Sequence, residues 1–502
     1  MRRRDWMRLA AGAAGVAALP RIWGQRPAIV PHPTQLTFPA LAYEPPKAEA
    51  YRHELPGGAT AFMVEDHELP LVDLSVLVRT GDYLVPAELG GLTSFTGEQM
   101  RAGGTTTMPA RDFDEATAFL ATQIGSGIGD TSGSASVECL TQNLDASLKL
   151  FFDMLKNPGF DPDRLELAKT RSLQGMERRN DRVAAVERRE FARLLRGDEH
   201  FSTRQTTKAS IEAITRERMQ EFHQRYYHPS ALTFAVSGDF DTKEMIQRLG
   251  EALASGWPAG EAPEVPAVPA PNHDPAPGVY MVNKPEVNQS SISIGHLGIQ
   301  RDNPDRSALA IMNQILGGGG FTSRIMSRVR SDEGLAYSAG SGFSPGTYYP
   351  GTFRAGFESR NPSCAQATGI VIEEIRRIRE EKVAEWELEA AKNYSIEVFP
   401  RFFATASSIA GTFASDEYTE REKDYWEDYR GEIAAVTVDS VLRVAQQYLK
   451  PDELVIVGVG NVEEMLRGNP DQPQYRFEKF SPSGEVRRIP LPDPMTMRYP
   501  DA

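Results

Sequence analysis

YHPSALTFAVSGDF, residues 227–240, reads as the end of a helix, a proline, and an apolar strand closed by Ser237-Gly238. The chain says this twice: Tyr448-Leu449-Lys450-Pro451 leads into LVIVGVGNV, which begins at Leu454. In each copy the glycine, Gly238 or Gly460, lies nine positions after the proline, and the two glycines stand 222 residues apart. That offset approaches half of a 502-residue chain. It is far longer than the roughly 20–50-residue period of a solenoid. The expectation is two similar α+β domains, each a sheet with helices segregated to one face.

Residues 257–277, WPAGEAPEVPAVPAPNHDPAP, separate the copies as an extended Pro/Ala linker. The organisation read from this is a leader over 1–25, an arm over 26–44, a first domain over 45–256, the linker, a second domain over 278–467, and a Pro-rich tail over 468–502 with little to bury. In the first domain, 59–64, 69–79, 132–140 and 232–236 read as strands. Helices are expected to about Ala102, over 113–123 and 143–155, and as one long charged region from Arg164 to about Arg196. In the second domain, strands are expected over 278–283, 289–297, 351–358 and 454–459. Helices are expected over 306–316, 365–382, 386–393 and 438–449.

The net charge of −14 argues against a nucleic-acid binder, which needs a basic surface to neutralise phosphates. No interior apolar run is long enough to span a bilayer. MRRRDWMRLAAGAAGVAALP at the start has a cationic segment followed by a short apolar run, the pattern of a signal peptide. Arg3-Arg4-Asp5-Trp6-Met7-Arg8 resembles the twin-arginine export signal. Export to a bacterial periplasm is therefore expected. The only cysteines, Cys139 and Cys364, make neither a disulfide framework nor a zinc site and read as buried free thiols.

The usual catalytic motifs are missing. There is no HExxH and no GxxxxGK[ST]. Gly342-Phe343-Ser344-Pro345-Gly346 matches a nucleophile elbow in letters, but Pro345 makes a poor helix start. None of the eight histidines pairs with another at i, i+4. GGGGFTSRIMSRVRSDEGLAY, residues 317–337, is more suggestive. Phe321, Ile325 and Val329 share one face of a helix that Gly334 stops, and a strand comes next. Arg330 and Tyr337 then sit on two elements joined by a tight turn, where a guanidinium and a phenol can be aimed at one spot.

Taken together, several pieces over roughly 45–465 resemble the insulinase/pitrilysin family of zinc metallopeptidases, the inverzincins. They are Gly81, Gly90-Gly91-Leu92, Gly103-Gly104-Thr105, the Tyr227-to-Gly238 unit, Leu316-Gly317-Gly318-Gly319, Ser323-Arg324, and Arg330 with Gly334-Leu335-Ala336-Tyr337. The resemblance implies a clamshell of two homologous domains around a chamber for peptides. Active members carry H-x-x-E-H on a helix after the Gly-Leu, plus a further glutamate roughly 75–80 residues on. Here those positions hold Ser94, Gly97 and Glu98, and then Gln174 or Gly175. No metal is therefore expected on this chain. In active members an Arg and a Tyr spaced like Arg330 and Tyr337 bind substrate backbone and steady the oxyanion. The resemblance thus implies a non-catalytic, substrate-binding subunit, inactive alone, of a heteromeric peptidase. A related H-x-x-E-H subunit would carry the zinc. The other reading is a clamshell scaffold with no part in catalysis.

Overall fold

The computed structural model describes residues 42–257 and 264–500. The leader over 1–25, the arm up to residue 41, and residues 258–263 of the linker lie outside the described residues. Described residues from Tyr43 onward form one unit. It holds two six-stranded sheets with the same core topology.

In the first half the strands are β1 (Arg52–Glu54), β2 (Thr60–Glu65), β3 (Leu71–Val78), β4 (Gln123–Ile128), β5 (Gly133–Leu140) and β6 (Leu232–Gly238). They are ordered β1-β2-β6-β3-β5-β4. The second half has β7 (Gly278–Asn283), β8 (Gln289–Leu297), β9 (Ala336–Ser344), β10 (Thr352–Arg360), β11 (Val455–Gly460) and β12 (Val486–Arg488). Their order is β12-β7-β11-β8-β10-β9. β6 and β11 are equivalent central strands: each pairs parallel with one neighbour and antiparallel with the other. They are the two copies of the strand in the sequence repeat.

The helices of the first half are α1 (Leu92–Ala102), α2 (Ala110–Phe119), α3 (Leu144–Lys156), α4 (Pro162–Glu177), α5 (Val183–Arg196), α6 (Lys208–Glu212), α7 (Arg216–Tyr226) and α8 (Thr242–Ala254). Those of the second are α9 (Arg306–Asn313), α10 (Arg324–Met326), α11 (Cys364–Glu380), α12 (Glu385–Val398), α13 (Ala406–Thr419), α14 (Tyr425–Ala435), α15 (Val438–Tyr448) and α16 (Val462–Arg467). Strand alternation decides which face each set covers. On β5, Ala135, Val137 and Cys139 are buried while Ser134, Ser136 and Glu138 are exposed. Cys139 and Cys364 are free and lie in the two separate main cores.

The central strands are buried on both faces, and the second face is covered by exchange. α13, from the second half, lays Ala410, Phe413 and Ala414 on Phe62, Val64 and Ala235 of the first sheet. α5, from the first half, lays Val186, Phe191 and Leu195 on Val282, Val455, Val457 and Val459 of the second. Each half therefore completes the other's core. The sheet faces beyond these helices, on β4–β5 and on β9–β10, stay uncovered by them.

Four expectations need correction. The charged region from Arg164 to Arg196 is two helices, α4 and α5, because the chain turns at 178–182 to carry α5 onto the other sheet. The helix expected over 113–123 ends at Phe119, and residues 123–128, QIGSGI, for which no element was expected beyond Gln123, form an edge strand. Their glycines weaken any local strand signal, and pairing with β5 places them. α13 and α14 have no counterpart among the expected helices. The tail after Gly468 buries Phe477, adds β12 parallel to β7, and ends with the Tyr499 hydroxyl 2.9 Å from both oxygens of buried Glu190 on α5.

Candidate functional site

The glycine run beginning at Gly317 is a packing device. A Cβ on Gly317 would stand 2.4 Å from the backbone nitrogen of Ser341 on β9. A Cβ on Gly340 would meet the Gly317 carbonyl oxygen at 2.8 Å. These two glycines let the end of α9 lie directly on β9. Asn313 locks the contact, donating to the Ser341 carbonyl at 3.1 Å and accepting from the Ser341 hydroxyl at 2.8 Å.

The helix expected through Phe321, Ile325 and Val329 is broken. A π turn covers Gln314–Gly318, a 3-10 turn Gly320–Thr322, then comes α10, and a second π turn runs Ser327–Asp332. Ser323, extended at φ −76° and ψ 151°, sets Phe321 apart from α10, and Gly320 turns the chain at φ +58° just before Phe321. Ile325 and Val329 are fully buried as expected, whereas Phe321 is 66% exposed. Gly334 ends the segment at φ +62°. The Leu335 N–H reaches back to the Val329 carbonyl at 2.9 Å, a glycine cap widened by the π turn. Arg324 anchors the whole segment to α12 by two 2.7 Å hydrogen bonds to the Glu387 carboxylate. Charge-assisted fork pairing of this kind is strong and directional.

Arg330 leaves this anchored segment flat between two rings. Its guanidinium carbon lies 4.6 Å from the Phe321 centroid and 4.6 Å from that of Tyr337. It makes no hydrogen bond or ion pair to the described residues, so its N–H edge is unspent. Tyr337 is 83% exposed and lies at a β-bulge. Phe357 pairs with Ala339 and Ser359 with Ala336, so Tyr337 and Ser338 together face Glu358. Such a bulge re-aims a side chain at a strand end. The structure thus brings the expected Arg–Tyr pair into contact and adds Phe321.

The pair opens into a cavity of about 770 Å³ on the uncovered face of the second sheet. Arg354, Glu358 and Arg360 of β10 line it, as do Glu187 and Arg188 of α5. Glu187 is buried and holds Arg354 at 3.3 Å. Burial pushes its carboxyl above the usual range, partly opposed by Arg354. Sequence reasoning missed these residues. The alternation of Arg354, Gly356, Glu358 and Arg360 with buried Phe353, Ala355, Phe357 and Ser359 was the available signal for β10. Nothing local announces the α5 residues.

The positions corresponding to the family's zinc site lie elsewhere. None of Ser94, Gly97, Glu98, Gln174 and Gly175 lines this cavity. Ser94 and Glu98 are exposed on α1, and Gln174 and Gly175 are exposed on α4. Gly97 is buried against β4. A Cβ there would lie 2.4 Å from the Ile128 nitrogen and 2.7 Å from Gly127 backbone atoms. The Ser126 hydroxyl also donates to the Gly97 carbonyl at 2.6 Å. The position that the resemblance assigns to the catalytic base is therefore closed by a strand. One hydroxyl and one carboxylate do not make a zinc site. No group of three His, Cys, Asp or Glu suited to a metal ion exists among the described residues. None of their helices is long and apolar enough to cross a membrane.

Comparison with known proteins agrees with this architecture. Residues 213–395 match the peptidase M16 inactive domain. An uncharacterized zinc protease from Mycobacterium leprae is 27% identical over 292 residues, 57% of this chain and 64% of that protein. The match spans less than two thirds of that relative's length. The crystal structure of a peptidase M16 inactive domain from Pseudomonas fluorescens superposes with a TM-score of 0.72 at 25% identity, covering 82% of this chain and 97% of that one. The periplasmic protease PqqL from Escherichia coli has the same fold, with a TM-score of 0.69 at 14% identity. It matches over 81% of this chain but only 45% of its own.

Proposed function

From a chain that has the fold of the insulinase/pitrilysin peptidases and matches the M16 inactive domain over 213–395, we propose a non-catalytic subunit that binds substrate for a heteromeric zinc peptidase. The observation that carries this reading is the contrast between the two halves. The base position at Gly97 is sealed by β4, while Arg330 and Tyr337 are held ready in an open cavity. The partner is a related subunit bearing H-x-x-E-H and the zinc, which polarises the scissile carbonyl and its attacking water.

This chain's share is binding and orientation. The Arg330 N–H edge and the Tyr337 hydroxyl donate to carbonyl oxygens of a peptide or unfolded segment, and to the negative charge that develops on one of them. Preorganised donors of this kind are worth about 2.7–4 kcal/mol each. β9 is the edge strand of its sheet, a position that supports strand addition by an extended substrate. The likeness to PqqL, described as periplasmic, and the leader-like N-terminus support a periplasmic location.

The test is co-purification with the partner, then Arg330→Ala and Tyr337→Phe in the reconstituted complex. Each is expected to lower peptide cleavage by about 100-fold or more. Unchanged activity in both variants would establish the scaffold reading instead. Zinc-dependent cleavage by the chain alone would overturn both.

A further inference from the structure

The cavity beside Arg330 is basic in a protein of net charge −14. Four arginines line it, Arg188, Arg330, Arg354 and Arg360, against two glutamates, Glu187 and Glu358. The pairings matter more than the count. Glu187 and Arg354 neutralise one another at 3.3 Å, and the Arg354 Nε donates to the Ser293 hydroxyl. Arg188 spends only its Nε, on the Ala184 carbonyl at 3.2 Å. Neither Arg330 nor Arg360 makes a side-chain hydrogen bond or ion pair to the described residues. Three guanidinium groups with their terminal N–H groups unspent on the described residues therefore face one unpaired carboxylate, Glu358.

Their placement is fixed by the fold. Arg354 and Arg360 project from the same face of β10, with Gly356 between them. The Arg354 guanidinium lies over that glycine, where a Cβ would meet its Nη2 at 2.9 Å. Arg330 is clamped between rings on one side, and Arg188 stands on α5 on the other. A concave surface with an excess of one sign of charge focuses its field on an incoming ion. Planar guanidinium forks suit a carboxylate in particular, because both oxygens are engaged at once.

We propose that this cavity selects peptides by a carboxylate, taking an acidic side chain or a chain terminus beside the segment held at Arg330 and Tyr337. The proposal rests on the peptide-binding reading above and adds the substrate class. Glu187 and Ser293 hold the Arg354 guanidinium at the wall of the cavity. The exchange of α5 between halves makes Arg188 and Glu187 part of a site otherwise built by the second sheet.

The test uses the purified full chain and fluorescence anisotropy with labelled unstructured peptides. One peptide carries internal Asp and Glu; its isostere carries Asn and Gln; each is made with a free and an amidated C-terminus. The acidic peptide is expected to bind at least about tenfold tighter than its isostere, with the difference shrinking as salt rises. An acidic peptide that outbinds its isostere in the amidated forms assigns the carboxylate to side chains, and free-terminus forms of both peptides that outbind their amidated forms assign it to the terminus. Arg360→Gln and Arg188→Gln, both on exposed residues, are expected to cut the preference several-fold at an unchanged melting temperature. Equal affinity for all four peptides, or a carboxylate preference that survives both substitutions together, overturns the proposal while leaving peptide binding intact. Failure to bind any of the peptides overturns the peptide-binding reading with it.

Discussion

Replacing Gly97 by alanine asks directly whether the catalytic position is closed. In the interior of an exposed helix this change gains about 0.8–1 kcal/mol, because alanine loses less backbone freedom on folding. Here the new methyl would stand 2.4 Å from the Ile128 nitrogen, against about 3.4 Å for ordinary contact, so a gap of about 1 Å must open. The obstacle is backbone. β4 is paired with β5 from Gln123 to Ile128 and cannot swing aside as a side chain would. Overpacking of this kind costs about 1–3 kcal/mol and sometimes more. A net loss of up to about 2 kcal/mol is expected, read as a lower urea midpoint by circular dichroism. Gly431→Ala in α14 and Gly175→Ala in α4 meet nothing within 4 Å and have ordinary helical φ. They should move the midpoint the other way, by about 0.5–1 kcal/mol. Gly97→Glu, which restores the family's base in letters, should lose more than the alanine. If Gly97→Ala stabilises as Gly431→Ala does, α1 is not seated on β4 and the closed-site argument fails.

The same packing sets two further outcomes. Phe413 of α13 is buried against Phe62, Tyr51 and Phe403, so Phe413→Ala should cost about 3–5 kcal/mol of unfolding free energy; a loss under about 1 kcal/mol would mean that the exchanged helix is not what seals the first sheet. Burial holds His223 down to about 4, with its Nε2 2.8 Å from the Leu155 carbonyl oxygen. The unfolded chain then binds the extra proton first, so stability should fall by up to about 3 kcal/mol as pH drops from about 6.5 to 4. Denaturant titrations across that range check this, and His223→Gln should flatten the slope.

Much of the site was legible because its signals are local. Gly334 before Leu335-Ala336-Tyr337 marks a helix stop and a strand start, which is enough to put Arg330 and Tyr337 near one another. Phe321 departs from its expected place because Ser323, extended between it and α10, breaks the helical register that its spacing suggests. The basic face of β10 was readable from its alternation with Phe353, Ala355 and Phe357, but only once the open face of the sheet was known.

Hydrophobic periodicity, the proline-to-glycine spacing and the presence of Ser94, Gly97 and Glu98 are properties of the chain itself. They determine two similar sheet-and-helix halves, and the resemblance they carry implies a metal motif without its ligands. Tertiary structure decided what touches what. It split residues 164–196 so that α5 crosses to the second sheet, sent α13 back to the first, and drew the Gly-rich segment 123–128 into a strand against Gly97. It also laid Arg330 between Phe321 and Tyr337 and brought Glu187 and Arg188 to the same cavity. The physical reason is the range of the forces read. Propensity and amphipathic pattern act over a turn of helix or a strand, whereas the second face of each sheet is covered from the other half of the chain, and no local preference encodes that distance.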